Sequence, residues 1–303
     1  HFFEHWVAVD KDYFDAKHLH DSVKKEGVVS LMAKTAEHWK KWSARTQLCA
    51  RETPDAQHLA THLKRSLLIV RTQIDNGGAI IAANDSDSIV FNRDTYSYMW
   101  PRDGALVAHA LDHAGFPELT RKFFEFCQSV MPRPSYYPEG YLLHKFNPDG
   151  SFGSSWHPWI RDGLPQLPIQ EDETALVLWA LNEHYKRCKD DDFVLSMRDR
   201  LIRPAAKFML KYRHEDSGLP RESYDLWEER YGVLTFTTAA VTAGLSAVAQ
   251  LLSAPEDREL SAACKNAALA MKRAMEEHLY RPDLKRFARM LTRKPDGGWQ
   301  VDS

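Results

Sequence analysis

The chain has 303 residues, is 44% hydrophobic, and sets 40 basic side chains against 42 acidic ones, a formal net charge of -2. That balance excludes a surface built to hold nucleic acid or anionic lipid. Every apolar run is broken by charge or His, which excludes a membrane span, while a chain of this size buries about three quarters of its unfolded surface and so has room for a large core.

The chain begins at His1 rather than Met and carries no signal peptide, so a trimmed N-terminus is expected. The compartment stays open, with the cytoplasm favoured. Cys49, Cys127, Cys188 and Cys264 lie far apart with no C-x-x-C pair. That spacing suits neither a metal site nor a disulfide scaffold, and the four read as free core thiols.

Residues 1–55 are charged and helical, with Trp39 and Trp42 in Glu37-His38-Trp39-Lys40-Lys41-Trp42. They read as a helical linker region packed on the outside of a larger helical body. Arg51-Glu52-Thr53-Pro54-Asp55 marks the boundary with that second region, 56–303. From Ala56, Leu59, Leu63, Leu67, Val70 and Ile74 recur at helical spacing, and Asn76-Gly77-Gly78 stops that helix. Further helices are expected from about Asp103 to His113, from Pro117 to before Pro132, from about Asp172 to Arg187 and from about Phe193 to Tyr212. Two more run from about Phe236 to Leu252 and from Pro255 to about Tyr280. Strand signals are sparse, with short candidates at Ala79–Ala83 and Tyr141–Leu143.

The helices alternate in character. Those beginning at Asp103, Asp172 and Phe236 are rich in Ala, Leu, Val and Thr, whereas those at Pro117, Phe193 and Pro255 carry many charges. A helix apolar on nearly all sides is buried and one with a charged stripe faces water. The pattern predicts an inner and an outer ring of helical hairpins, with the inner N-termini gathered at one end.

Each inner helix is preceded by a polar, aromatic loop. The three are Tyr96-Ser97-Tyr98-Met99-Trp100-Pro101-Arg102-Asp103; Trp156-His157-Pro158-Trp159 with, further on, Gln170-Glu171-Asp172-Glu173; and Tyr224-Asp225-Leu226-Trp227-Glu228-Glu229-Arg230. A carboxylate beside an aromatic in a half-buried loop can donate a proton near neutral pH, and an Arg fork with an adjacent carboxylate suits sugar hydroxyls. Plainer explanations exist for each cluster alone: an N-cap Asp beside a surface Arg, core Trp side chains at 156 and 159, dipole complementation by Glu171 to Glu173, and a solvated turn at Asp225 to Glu229. The coincidence of all three at corresponding helix ends favours a carbohydrate site. His109 and His113 share a helix face but lack a third ligand, so no metal is expected there. Gly150 to Gly153 lacks the Lys and adjoining helix of a phosphate loop.

These motifs resemble the glucoamylase family of glycoside hydrolases, family fifteen. The stretches His144-Lys145-Phe146-Asn147-Pro148-Asp149-Gly150-Ser151 and Gln170-Glu171-Asp172-Glu173-Thr174-Ala175-Leu176 look like its prokaryotic branch of glucoamylases, glucodextranases and trehalases. The resemblance runs from about residue 60 to the end. It implies an all-α (α/α)6 barrel and inverting, exo-acting attack on α-glucosides. Carried over, Glu228 is the general acid, Glu229 binds the leaving-side sugar and Asp225 supports the acid. Arg102 and Asp103 hold the terminal glucose hydroxyls, Tyr96 and Trp100 line the pocket beside the reacting ring, Trp227 packs nearby, and Gln170 and Asp172 complete the wall. Where fungal members carry a Trp four residues before the Gln, this chain has Gln166, and Trp156 or Trp159 is expected to fill that space.

About seven barrel helices are expected where the family has twelve, and the family's catalytic base lies further downstream. The rest of the barrel is expected from the same gene or another chain. The expected partner is an α-glucan or α-glucoside, with no cofactor, metal, nucleic acid or membrane. The alternative is a non-catalytic carbohydrate-binding or regulatory barrel of the same family.

Overall fold

The computed structural model describes residues 3–46, 55–85, 95–131, 140–154 and 158–302. Trp156 and Cys49 lie outside the described residues. The chain divides into two compact units, His1–Thr72 and Gln73–Ser303.

The first unit holds α1 (Tyr13–Glu26), α2 (Val28–Ala44) and α3 (Ala56–Thr72). Asp12 caps α1 by accepting from the Phe14 and Asp15 N–H groups, both at 2.9 Å. Gly27, at φ 87°, lets α2 begin at once. Trp39 and Trp42 meet edge to face at 5.7 Å, so the tryptophan pair is one local contact on α2.

The second unit is built from helical hairpins. α4 (Pro101–Ala114) turns through Gly115 into α5 (Pro117–Val130). α6 (Glu171–Cys188) is followed by α7 (Asp191–Met197), a π-helical turn (Arg198–Ile202) and α8 (Arg203–Lys211). Pro204 explains the widened turn, because it has no N–H for the regular ladder. α9 (Thr235–Leu251) is followed by α10 (Arg258–Ala274), which also ends in a π-helical turn. α6 lies between α4 and α9, and α5, α8 and α10 pack outside them. The inner and outer alternation read from composition is therefore the observed packing. The inner helices approach closely: a Cβ on Gly244 of α9 would sit 2.8 Å from the Ala175 carbonyl of α6. Gly104 has the same role toward α5, where a Cβ would fall 2.4 Å from the Phe123 ring.

The segments expected as strands at 79–83 and 141–143 form none; Ile80 makes only an isolated bridge to Ile74. Strands lie elsewhere. β1 (Ile160–Arg161) and β2 (Leu164–Pro165) make a tight hairpin, with Asp162 at φ 50° and Gly163 at φ 76°. β3 (Ser223–Tyr224), β4 (Tyr231–Leu234), β7 (Met290–Arg293) and β8 (Trp299–Asp302) form one antiparallel sheet in the order β3-β4-β7-β8. β5 (Tyr280–Arg281) pairs with β6 (Arg286–Phe287) beside it. Leu219, Val233, Met275, Leu279 and Leu291 bury an apolar cluster under this sheet, fixing it to the end of α10. Cys127 and Cys264 are buried thiols as expected, but Cys188 is exposed, because it falls on the last turn of α6. No helix of the described residues is long and apolar enough to cross a membrane.

Candidate active site

The first turns of α4, α6 and α9 are laced together by side chains. Pro101 opens α4 at a position where its missing N–H costs nothing, and Trp100, not Asp103, is the N-cap residue. Arg102 is buried rather than on the surface. Its Nη1 donates to Gln170 Oε1 at 2.6 Å and Asp172 Oδ2 at 3.0 Å, and lies 2.9 Å from Glu173 Oε1. Its Nη2 stands 3.2 Å from Asp103 Oδ2, and its backbone N–H donates to Glu173 Oε2. A carboxylate from α6 thus caps α4. The remaining oxygen of Asp172 accepts from Thr237 Oγ1 of α9 at 2.8 Å. All three carboxylates at the start of α6 are buried.

Burial alone would lower the Arg102 pKa, but Glu173, Asp172 and Asp103 outweigh it and raise it. Burial pushes the Glu173 carboxyl well above the ordinary Glu range, against the pull of Arg102. Glu171 is pushed the same way by burial, then by Asp172. One guanidinium faces more acid than it can neutralise, and burial favours the protonated form of Glu171 and Glu173.

The segment Asp225–Arg230 is the tip of the β3–β4 hairpin. The Asp225 N–H donates to the Arg230 carbonyl at 2.8 Å and the Glu228 N–H to the Asp225 carbonyl at 2.9 Å. Asp225 Oδ1 accepts from the Glu229 and Arg230 N–H groups at 2.9 and 3.2 Å, and Oδ2 takes Arg289 of β7's leading edge. Gln170 Nε2 donates to the Asp225 carbonyl at 2.6 Å, joining this loop to the Arg102 network. The turn places Glu228 at φ 56°, a left-handed conformation that costs a non-glycine residue about 1–3 kcal/mol and persists only where neighbours enforce it. Its side chain is then only 5% exposed, with Oε1 3.9 Å from His144 Nε2.

Glu228, Asp103, Arg102, Tyr96, Trp100 and Trp227 face one hollow of about 190 Å³. Two loops widely separated in sequence therefore converge on it, and Gln170 of the third ties them together from behind. Trp100 is buried, with the Tyr96 ring 6.0 Å away; Tyr96 is 54% and Trp227 77% exposed, leaving aromatic faces at the rim. Leu226 and Trp227 also border a second hollow of about 350 Å³, which holds Glu229 and Arg289. Gln170 and Asp172 stand behind this surface, with their polar atoms turned to Arg102, Asp225 and Thr237. Trp159 backs onto His144 at 4.8 Å and Tyr224 at 5.5 Å. Gln166 accepts from the Tyr231 hydroxyl at 3.1 Å. His109 and His113 meet edge to face at 4.6 Å on α4, with Trp179 against His109.

Sequence reasoning passed over Thr237, Arg289, His144 and Asp85 as site residues. Asp85 staples the loop that carries Tyr96: it accepts from Thr95 Oγ1 at 2.6 Å, Ser97 Oγ at 2.8 Å and the Tyr96 N–H at 2.9 Å. The Thr95 hydroxyl, then the Tyr96 N–H, pull its pKa down to about 2.

Inner and outer helical hairpins with a polar mouth at the inner N-termini define the (α/α)6 class. A bacterial glucoamylase complexed with acarbose matches with a TM-score of 0.67 at 19% identity, covering 96% of this chain and 41% of that one. A glycosidase in complex with glucose matches with a TM-score of 0.58 at 24% identity, covering 80% and 64%. Residues 58–289 match Glycosyl hydrolases family 15, and the chain belongs to that family. An uncharacterized glycosyl hydrolase of Methanocaldococcus jannaschii is 28% identical over 229 residues, 75% of this chain and 32% of that protein. The chain thus spans about a third of the length of the curated relative it matches.

Proposed function

We propose that the chain supplies the general acid and the terminal-sugar pocket of an inverting, exo-acting α-glucoside hydrolase. The observation that carries this is the convergence of the Glu228 carboxyl with Arg102 and Asp103 in one aromatic-rimmed hollow. A hexose fits such a surface: Asp103 accepts hydroxyl protons, Arg102 holds Asp103 in place and donates beside it, and Trp100, Tyr96 and Trp227 cover the C–H faces. Family membership supports the reaction class. The glucose and acarbose found in the two solved relatives support a pocket for a terminal sugar.

In the proposed reaction Glu228 begins protonated and gives its proton to the glycosidic oxygen as the bond to C1 breaks. Water attacks C1 from the opposite face, its proton taken by a second carboxylate about 6.5–9.5 Å away, which inverts the anomeric centre. The resemblance implies that this base comes from a segment downstream of the acid hairpin. The Trp227 wall separates the terminal-sugar hollow from the one holding Glu229 and Arg289, which suits the leaving-side sugar.

The test is Glu228→Gln in the intact protein, assayed by NMR for β-glucose released from maltooligosaccharides, isomaltooligosaccharides and trehalose. The expected loss is about 10²–10⁴-fold in kcat with sugar binding retained. Wild-type turnover in that variant removes Glu228 from the chemistry. Glucan binding without turnover in the unaltered protein supports the non-catalytic barrel instead.

A further inference from the structure

We propose that His144 is a positioning residue for the acid, its ring held against the Glu228 carboxyl so that the two groups share protons as one coupled pair. The proposal rests on reading Glu228 as the acid. The His144 backbone N–H donates to the Pro168 carbonyl at 3.0 Å, which fixes the residue's place beside the mouth of α6. The ring is fully buried, tilted against Trp159 at 4.8 Å and edge-on to Phe152 at 5.9 Å. Held from both sides, it presents Nε2 to Glu228 Oε1 at 3.9 Å, with side-chain exposures of 0% and 5%. Out of water, at that separation, each group's charge state biases the other's.

Among the described residues, several charged and titratable groups stand near the pair. Lys145, next in the chain, holds its ammonium 5.1 Å from the Tyr98 ring and 5.4 Å from the Trp100 ring. Arg102 and Asp103 of α4 line the same hollow as Glu228. Asp225 with Arg289 anchors the root of the acid loop, and Tyr224 stands behind Trp159. The two cations Lys145 and Arg102 oppose a further positive charge on His144. Asp103 and Asp225 favour it, and Glu228 places a carboxylate oxygen 3.9 Å from the ring.

As pH falls, such a pair takes up one proton before two. While that proton resides on His144, Glu228 is ionised and cannot serve as an acid. Without the imidazole, Glu228 takes the proton at higher pH. His144 therefore sets the basic limit of the acid's working range.

A pH titration of the His144 ring by ¹H–¹³C correlation NMR tests the coupling on the chain without requiring turnover, in wild type, Glu228→Gln and Glu229→Gln. The His144 midpoint is expected to fall by at least half a pH unit in Glu228→Gln and to stay in place in Glu229→Gln. Should Glu228→Gln fail to fold, Glu228→Asp, with its carboxylate drawn back, gives the same direction of change. Equal midpoints in all variants, or a His144 that does not titrate between pH 4 and 9, overturn the proposal. In the intact protein, His144→Gln is expected to move the basic limb of the pH–kcat profile upward, which a merely structural role does not do. A lower rate with an unshifted profile also overturns it. Failure of the glycosidase reading appears separately, as undiminished turnover in Glu228→Gln.

Discussion

Helices α4 and α6 carry a buried polar network at each end, and the two are built on different principles. At the far end Asp112 of α4, Thr120 of α5 and His184 of α6 meet, with the Thr120 hydroxyl 2.7 Å from Asp112 Oδ1 and His184 Nδ1 within 3.1 Å of both Asp112 oxygens. One carboxylate faces one imidazole and one hydroxyl, and three helices are stapled together. At the mouth, Arg102 faces Asp103, Asp172 and Glu173, and Glu171 is buried next to them. Acid is in surplus there, and Glu228 close by sits in a left-handed backbone conformation. A network of one carboxylate, one imidazole and one hydroxyl serves stability. An overcharged and strained one borders the hollow, where a ligand's hydroxyls can share the load.

The contrast predicts unequal responses to breakage. Arg102→Ala strands Asp172 and Glu173 without their cation, so a loss of about 3–5 kcal/mol in unfolding free energy is expected. Urea denaturation checks the stability, and calorimetry with glucose checks the expected loss of sugar binding. At the far end, Thr120→Val keeps the shape and leaves Asp112 paired with His184. It is expected to cost about 1–2 kcal/mol and to leave sugar binding unchanged. Comparable damage to binding from both variants would erase the division of labour between the two ends.

The hairpins and the mouth were legible in the sequence, the far-end network was not, and the missing part has a physical cause. The hairpins arise from helical spacing and from the change between apolar and charged helices, which is local information. The mouth was legible because aromatic and acidic residues recur before each inner helix. The hydrogen bonds that cross it were not: the Arg102 N–H finds Glu173, and Arg289 finds Asp225, only through the tertiary fold. The sheet that carries the Glu228 loop escaped because β3 has two residues and β4 four, too short for any alternation to show. One signal was present and passed over. Asp162-Gly163 is a two-residue hairpin turn, and both residues adopt positive φ. His144 belongs to one of the stretches that carry the family resemblance, but nothing in its spacing says that it faces Glu228.

Glu171 gives the finest measure of the surplus acid. It is fully buried, and burial, then Asp172, raise its pKa well above the usual Glu value, with Arg213 only partly opposing. Folded-state Glu171 is therefore neutral in a pH range where the unfolded chain has already ionised it. Its contribution to stability is complete below the unfolded Glu pKa and is lost as pH rises toward the folded one, with a slope of up to about 1.4 kcal/mol per pH unit. Glu171→Gln keeps the shape and removes the titration. Relative to wild type it is expected to be nearly equal at pH 4 and to gain stability as pH rises above the ordinary Glu range. Thermal unfolding at pH 4 and pH 8 measures this directly. A constant difference between the two pH values would mean that Glu171 is already ionised in the folded protein, and the mouth would then be no more overcharged than the far end.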